Sequence, residues 1–149
     1  MPLELQELDQ DKDFHAIARC MFESYEDPPQ KFFHVFFPIH GEGIAAREAA
    51  IDEAATRLKT WHTHDPSSYW QKVVDTDTGK IAGGALWNIH RDNPFEDPKP
   101  SQVSWFPEDG SREFVEQALQ THSIPRARVA QRPHVCKFLS LFIISFSLI

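Results

Sequence analysis

Tyr69-Trp70-Gln71-Lys72-Val73-Val74 and Ile81-Ala82-Gly83-Gly84-Ala85-Leu86-Trp87-Asn88-Ile89-His90 flank the turn Asp75-Thr76-Asp77-Thr78-Gly79-Lys80, and the reading of this stretch decides the fold. Both arms are rich in β-forming residues and the centre is polar, which predicts a hairpin. Gly83-Gly84 lies inside the second arm. Glycines there mark a bulge or a close backbone approach more often than a phosphate loop. The second arm ends on Trp87-Asn88-Ile89-His90, an aromatic and two polar side chains at a strand terminus, where sites often sit.

Upstream of the hairpin the period changes. Leu3, Leu5 and Leu8 alternate loosely with Glu4, Gln6 and Glu7, the pattern of a short half-buried strand. Phe14, Ile17, Ala18, Met21, Phe22 and Tyr25 then follow helical spacing, with Asp11 or Asp13 as N-cap and Asp27-Pro28-Pro29 as the stop. Ile44, Ala45, Ala49, Ile51, Ala55, Leu58 and Trp61 predict a second helix, ended by Pro66. Between the two, Lys31-Phe32-Phe33-His34-Val35-Phe36-Phe37-Pro38 reads as a short helical turn or a buried loop. Its rings can plug the core or wall an apolar pocket, and the plug is the simpler reading.

Downstream, the proline-rich, acidic run 92–110 predicts a surface excursion without a core of its own. Ser111 is a candidate cap for a helix over Arg112–Gln120, with Phe114, Val115, Ala118 and Leu119 on one side. Residues 125–133 read as a polar connector, and Arg126, Arg128 and Arg132 as a solvated cluster. The fold class expected is α/β, of α+β type, in the order strand, helix, helix, hairpin, helix, strand.

At 149 residues the chain fits one domain, and 41% hydrophobic with 25% charged residues is the make-up of a globular protein that buries a core. A net charge of −7 argues against nucleic acid, whose affinity rests on Lys and Arg releasing counterions. Cys20 and Cys136 stand far apart and make no C-x-x-C pair, which fits a reducing compartment. The N-terminus lacks a basic region followed by an apolar stretch, so no secretory signal is read and a cytoplasmic location is expected. Cys20 falls within the first helix and reads as a packing residue. His62 and His64 have no third ligand at metal spacing, and no metal site is expected. A Gly-x-Ser-x-Gly elbow is absent, which leaves nucleophilic hydrolysis unsupported.

Several segments resemble a fungal branch of the GNAT superfamily, the acetyl-CoA-dependent N-acetyltransferases. Phe22-Glu23-Ser24-Tyr25-Glu26-Asp27-Pro28-Pro29 followed by Phe32-Phe33 and Phe36-Phe37-Pro38 is similar to that branch's helix-one end and loop. Gly79-Lys80-Ile81-Ala82-Gly83-Gly84-Ala85-Leu86-Trp87 is similar to its third strand. Glu113-Phe114-Val115-Glu116-Gln117-Ala118-Leu119 and Arg132-Pro133-His134-Val135 complete the resemblance, which covers residues 1 to about 135. It implies acetyl transfer from acetyl-CoA to a small-molecule amine, positioned for direct attack on the thioester beside a base. It also implies an acceptor pocket built from Tyr25, Phe32, Phe33, Trp87 and His90.

The resemblance implies as well a glycine-rich helix start that holds the pyrophosphate of acetyl-CoA. No glycine follows Gly110, so that binding motif has no candidate here. Both tyrosines, Tyr25 and Tyr69, lie upstream of where the family often supplies a general acid. No catalytic residue is carried over, and the chain is expected to be inactive as written.

Lys137–Ile149 has nine apolar residues in thirteen and does not match the acidic domain before it, which gives an expected division into 1–136 and 137–149. As a membrane anchor it falls short of the roughly 17–25 residues a spanning helix takes, so no membrane is expected. Val135–Ile144 has the look of a buried parallel strand. The preferred expectation is intron read-through, because Cys136-Lys137-Phe138 can be encoded TGT-AAG-TTT, which contains the splice-donor sequence GTAAGT. An uncovered apolar edge would favour self-association, and the alternative function is a non-catalytic protein-interaction module.

Overall fold

A computed structural model describes residues 2–95 and 103–142. The elements run β1 (Leu3–Glu7), α1 (Phe14–Glu26), α2 (Phe33–Phe36), α3 (Gly43–His64), β2 (Ser68–Asp75), β3 (Ile81–His90), α4 (Gly110–Val129) and β4 (His134–Phe142). The strands form one antiparallel sheet in the order β1-β2-β3-β4. The mixed α/β class and the order of elements agree with the sequence reading.

α1 buries Phe14, Ile17, Ala18, Cys20, Met21 and Phe22, and its stripe packs on Ala50, Ile51, Ala54 and Leu58 of α3. Trp70, Leu86 and Leu139 bring the sheet into the same core. Charge pairs fasten the two helices at their edges: Arg47 donates from Nε and Nη2 to Glu26 Oε2 at 2.9 and 2.7 Å, and Arg19 Nη1 to Glu48 Oε1 at 3.1 Å. Between β2 and the start of α1, Lys72 Nζ meets Asp13 Oδ2 at 2.6 Å with both side chains largely buried.

The hairpin forms with the expected arms, and the bulge expected at the glycines is present. Val73 pairs with Gly83 but Val74 with Ile81, which leaves Ala82 as the extra residue. A second irregularity lies across β4, where Leu86 pairs with Leu139 and Trp87 with Lys137.

Several sequence expectations are corrected. Asp13 occupies the cap position of α1, but its carboxylate makes no cap hydrogen bond; it accepts instead from the Asp9 N–H and from Lys72. The leucines of β1 are not half-buried, because alternation turns Leu3 and Leu5 to the sheet face away from the helices. Ile44, Ala45 and Ala49 are exposed, and the buried stripe of α3 begins at Ala50. Asp109, not Ser111, caps α4, accepting from the Ser111 N–H at 2.9 Å. α4 also runs on to Val129 through Pro125, so most of the expected connector is helical. A proline removes one ladder hydrogen bond, which is why the sequence pattern reads as ending earlier.

The excursion after β3 is not free of the core. Val103 is buried, the Trp105 indole donates to the Val35 carbonyl at 3.1 Å, and Arg112 Nε donates to the Phe106 carbonyl at 2.9 Å. Its middle, residues 96–102, lies outside the described residues.

β4 pairs antiparallel to β3 from His90↔His134 to Gly83↔Phe142, not parallel as expected. The strand runs through Cys136, and Leu139 packs on the core. Residues 143–149, the remainder of the expected apolar tail, lie outside the described residues. Among the described residues no helix is long and apolar enough to cross a membrane.

The division between buried and exposed apolar residues has a measurable consequence. Phe22→Ala is expected to cost about 3–5 kcal/mol in urea unfolding, and Leu5→Ala no more than about 0.5 kcal/mol. Similar losses for the two would contradict the arrangement of the sheet.

Candidate functional site

The five residues implied for an acceptor pocket fall in three places. Tyr25 at the end of α1 stacks on Phe33 of α2, with ring centroids 5.0 Å apart, and its hydroxyl donates to the Ser140 carbonyl of β4 at 2.8 Å. Burial raises the Tyr25 phenol above its ordinary value, which keeps it a donor. Phe33 and Phe37 fill the core, with Phe22 edge-on to Phe33 at 5.0 Å, as a plug requires. Phe32 is 51% exposed and lies against Phe36 and the His122 ring of α4.

Trp87 and His90 sit on opposite faces of β3 by alternation. The Trp87 indole donates to Gln71 Oε1 at 3.0 Å, on the face away from the helices. His90 shares its face with Leu86 and Asn88, toward the core.

On that inner face a cleft of about 370 Å3 opens between the end of α3, β2 and β3. Trp61, Trp70, Leu58 and Leu86 give it apolar walls, and His62, Asp65, Ser68 and Asn88 its polar groups. Asp65 follows directly on the last turn of α3, where the chain leaves the helix for β2. Its Oδ1 accepts from the Ser67 N–H at 2.9 Å and its Oδ2 from Asn88 Nδ2 at 3.1 Å. His62 Nδ1 lies 2.9 Å from Ser68 Oγ, and its ring packs on Phe14. A small cleft with apolar walls and a few convergent polar groups is the usual form of a ligand site.

Beyond Asn88 the same face carries a second group. His90 pairs with His134 and Asn88 with Cys136, so alternation sets His90, His134 and Cys136 on one side of the β3–β4 edge. The two imidazoles are 4.9 Å apart, and one ligand atom from each of the three residues lies within 4.8 Å of the others. Arg126, expected to be solvated, reaches from α4 to donate to Cys136 Sγ at 2.7 Å. Sequence reading missed His134 and Cys136 because their partner His90 stands 44 and 46 positions upstream. The only local signal was the His-x-Cys alternation at the start of a strand.

Burial lowers the His90 pKa below its ordinary value, followed by the neighbouring His134 and Arg126, while Asp65 opposes the shift. The unfolded chain, with its imidazole near 6.5, therefore takes up the proton first, and stability falls as pH drops through about 6.5 toward the folded-state value. His90→Gln should flatten that fall in urea midpoints measured from about pH 7.5 down to pH 5. An unchanged slope would count against this environment for His90.

No family model and no curated protein matches the sequence. Among solved structures the chain is similar to one described as histone acetyltransferase HPA2 and related acetyltransferase, from Corynebacterium glutamicum. The identity is 17% and the TM-score 0.42, over 85% of this chain and 72% of that one. It is also similar to a ribosomal-protein-S5-alanine acetyltransferase from Vibrio fischeri, at 16% identity and a TM-score of 0.35, over 85% of this chain and 65% of that one.

Proposed function

We propose that this chain forms the acceptor side of an acetyl-CoA-dependent N-acetyltransferase domain of the GNAT kind, in the fungal branch its segments resemble, and that the 149-residue chain does not itself transfer acetyl groups. The observation that carries the reading is the order of elements. The three segments on which the resemblance rests fall on the end of α1 with α2, on β3 and on α4, as a domain of that order requires.

The cleft beside β3 supports an amine as acceptor. Asp65 offers a carboxylate to an ammonium group, Trp61 and Trp70 offer ring faces to a cation or an aromatic stem, and His62 is the imidazole in reach of the same space. In such a transfer the neutral amine attacks the thioester carbonyl, the C–S bond breaks, and the amine's proton passes to a base. Tyr25 and Phe33 serve this arrangement by fixing α1 and α2 against β4. The pyrophosphate of acetyl-CoA has no glycine-rich cradle after Gly110, which supports the absence of turnover. Two well-separated cysteines fit a cytoplasmic, reducing setting.

A second reading has its own observation. The sheet face away from the helices exposes Leu5 at 63%, Ile89 at 42% and Val135 at 62%, a surface suited to self-association or to a partner protein. Titration with phenethylamine should change the fluorescence of Trp61 and Trp70, and Asp65→Asn should weaken that binding about tenfold. Calorimetry with acetyl-CoA should give no binding tighter than about 1 mM. Micromolar binding of acetyl-CoA would overturn the inactivity. No response to the amine, together with a dimer in sedimentation, would replace the acceptor reading with the interaction module.

A further inference from the structure

We infer that His90, His134 and Cys136 form a three-ligand site for a borderline transition-metal ion, with Zn2+ the natural occupant, on the β3–β4 edge. The inference does not rest on the proposed function, since no ligand of the cluster belongs to the amine cleft.

The register is the first support. Antiparallel pairing places His134 directly across from His90, and Cys136 two residues further along the same face, so the strands deliver all three side chains without any loop. Their ligand atoms lie within 4.8 Å of one another, against about 3.3–3.6 Å for donors on a tetrahedral zinc ion. Side-chain rotations that close the cluster by up to about 1.5 Å bring the three atoms to that spacing, and water takes the fourth position.

The second support is an orphaned acceptor. His134 Nδ1 lies 2.6 Å from the Arg132 carbonyl, which can only accept, so Nδ1 carries the hydrogen. In the neutral ring this leaves the lone pair on Nε2, which is buried and has no hydrogen-bond partner among the described residues. An unsatisfied buried acceptor is costly, and a histidine that donates its other N–H to a backbone carbonyl is the usual support for a metal ligand. Two imidazoles and a thiolate suit Zn2+ or Co2+ and not Mg2+ or Ca2+, which take oxygen donors.

Arg126 is the opposing charge. Its guanidinium lies against both the Cys136 sulfur and the Phe95 ring, and it must leave the sulfur when the ion arrives. A metal and Arg126 therefore compete for one atom, and removing the arginine should tighten metal binding.

Titration of the whole chain with Co2+ under nitrogen tests this. The expected result is one equivalent bound, with thiolate-to-cobalt charge transfer in the near ultraviolet and ligand-field bands in the visible, both abolished by Zn2+. Cys136→Ser should remove the charge-transfer band, His134→Ala should weaken binding at least about tenfold, and Arg126→Gln should strengthen it. His15→Ala, at an exposed histidine of α1, should leave the Co2+ spectrum and the stoichiometry unchanged. In the unaltered chain, where no variant has to fold, Zn2+ should slow alkylation of Cys136 about tenfold and a chelator should restore the rate. No charge-transfer band with Co2+, a band that survives Cys136→Ser, or alkylation of Cys136 indifferent to Zn2+ would each overturn the assignment.

Discussion

The Arg57 guanidinium is enclosed where α2, α3 and the segment after Val103 meet, and the positions of all three depend on how that charge is satisfied. It lies 4.4 Å from the Trp105 ring centroid, 5.0 Å from Phe37 and 5.2 Å from Trp61. Nη2 donates to the Phe36 carbonyl at 2.6 Å, and the same nitrogen stands 3.1 Å from Glu53. Nε and Nη1 are buried and have no hydrogen-bond partner among the described residues. With only 8% of the residue exposed, loss of water brings its pKa down to about 10, so it is still a cation at neutral pH. A buried charge of this kind is tolerable only with partners, and here three ring faces supply what hydrogen bonds do not. A lysine could not replace it, since a compact ammonium cannot lie flat among rings and reach a carbonyl as well.

That enclosure reaches into the candidate site. Trp61 touches Arg57 on one side and walls the amine cleft on the other, so the cation that holds α3 against the aromatic turn also fixes one wall of the pocket. Asp65 then leaves the helix one turn later, and its carboxylate binds Asn88 and Ser67. The floor of the cleft is thus tied to β3. Asn88 in turn pairs with Cys136, which joins the cleft to the metal-ligand cluster through a single strand position.

The sheet carries a contrast between its faces. One side packs Trp70, Leu86 and Leu139 against α1 and α3, whereas the other leaves Leu5, Ile89 and Val135 in contact with water. A four-stranded sheet can remain open on one face only while polar side chains interrupt the apolar ones, and Gln71, Lys137 and the Tyr69–Glu7 hydrogen bond do so here. The two bulges, at Ala82 and opposite Trp87, shift the register of β3 against each neighbour and decide which side chains come to share a face.

Local rules were enough for the hairpin, α1, most of α3 and the class of the fold. Their signals, the polar turn at Asp75–Lys80 and the 3.6-residue stripe from Phe14 to Tyr25, act within a few residues of one another. The aromatic turn and the glycine bulge were legible for the same reason. What could not be read depends on partners far apart in the chain. Asp13 loses its capping role to Lys72, and Leu5 turns outward because no helix among the described residues covers its side of the sheet. α4 passes through Pro125, and the apolar residues beyond Cys136 enter an antiparallel strand because β3 offers a free edge. The same pairing, fixed by strand register and by nothing local, sets Cys136 and His134 beside His90 and leaves Trp87 on the far face. The sequence determined which residues were available for chemistry; the tertiary structure decided which of them meet, because alternation and register assign each strand residue to a face only once its neighbour is chosen.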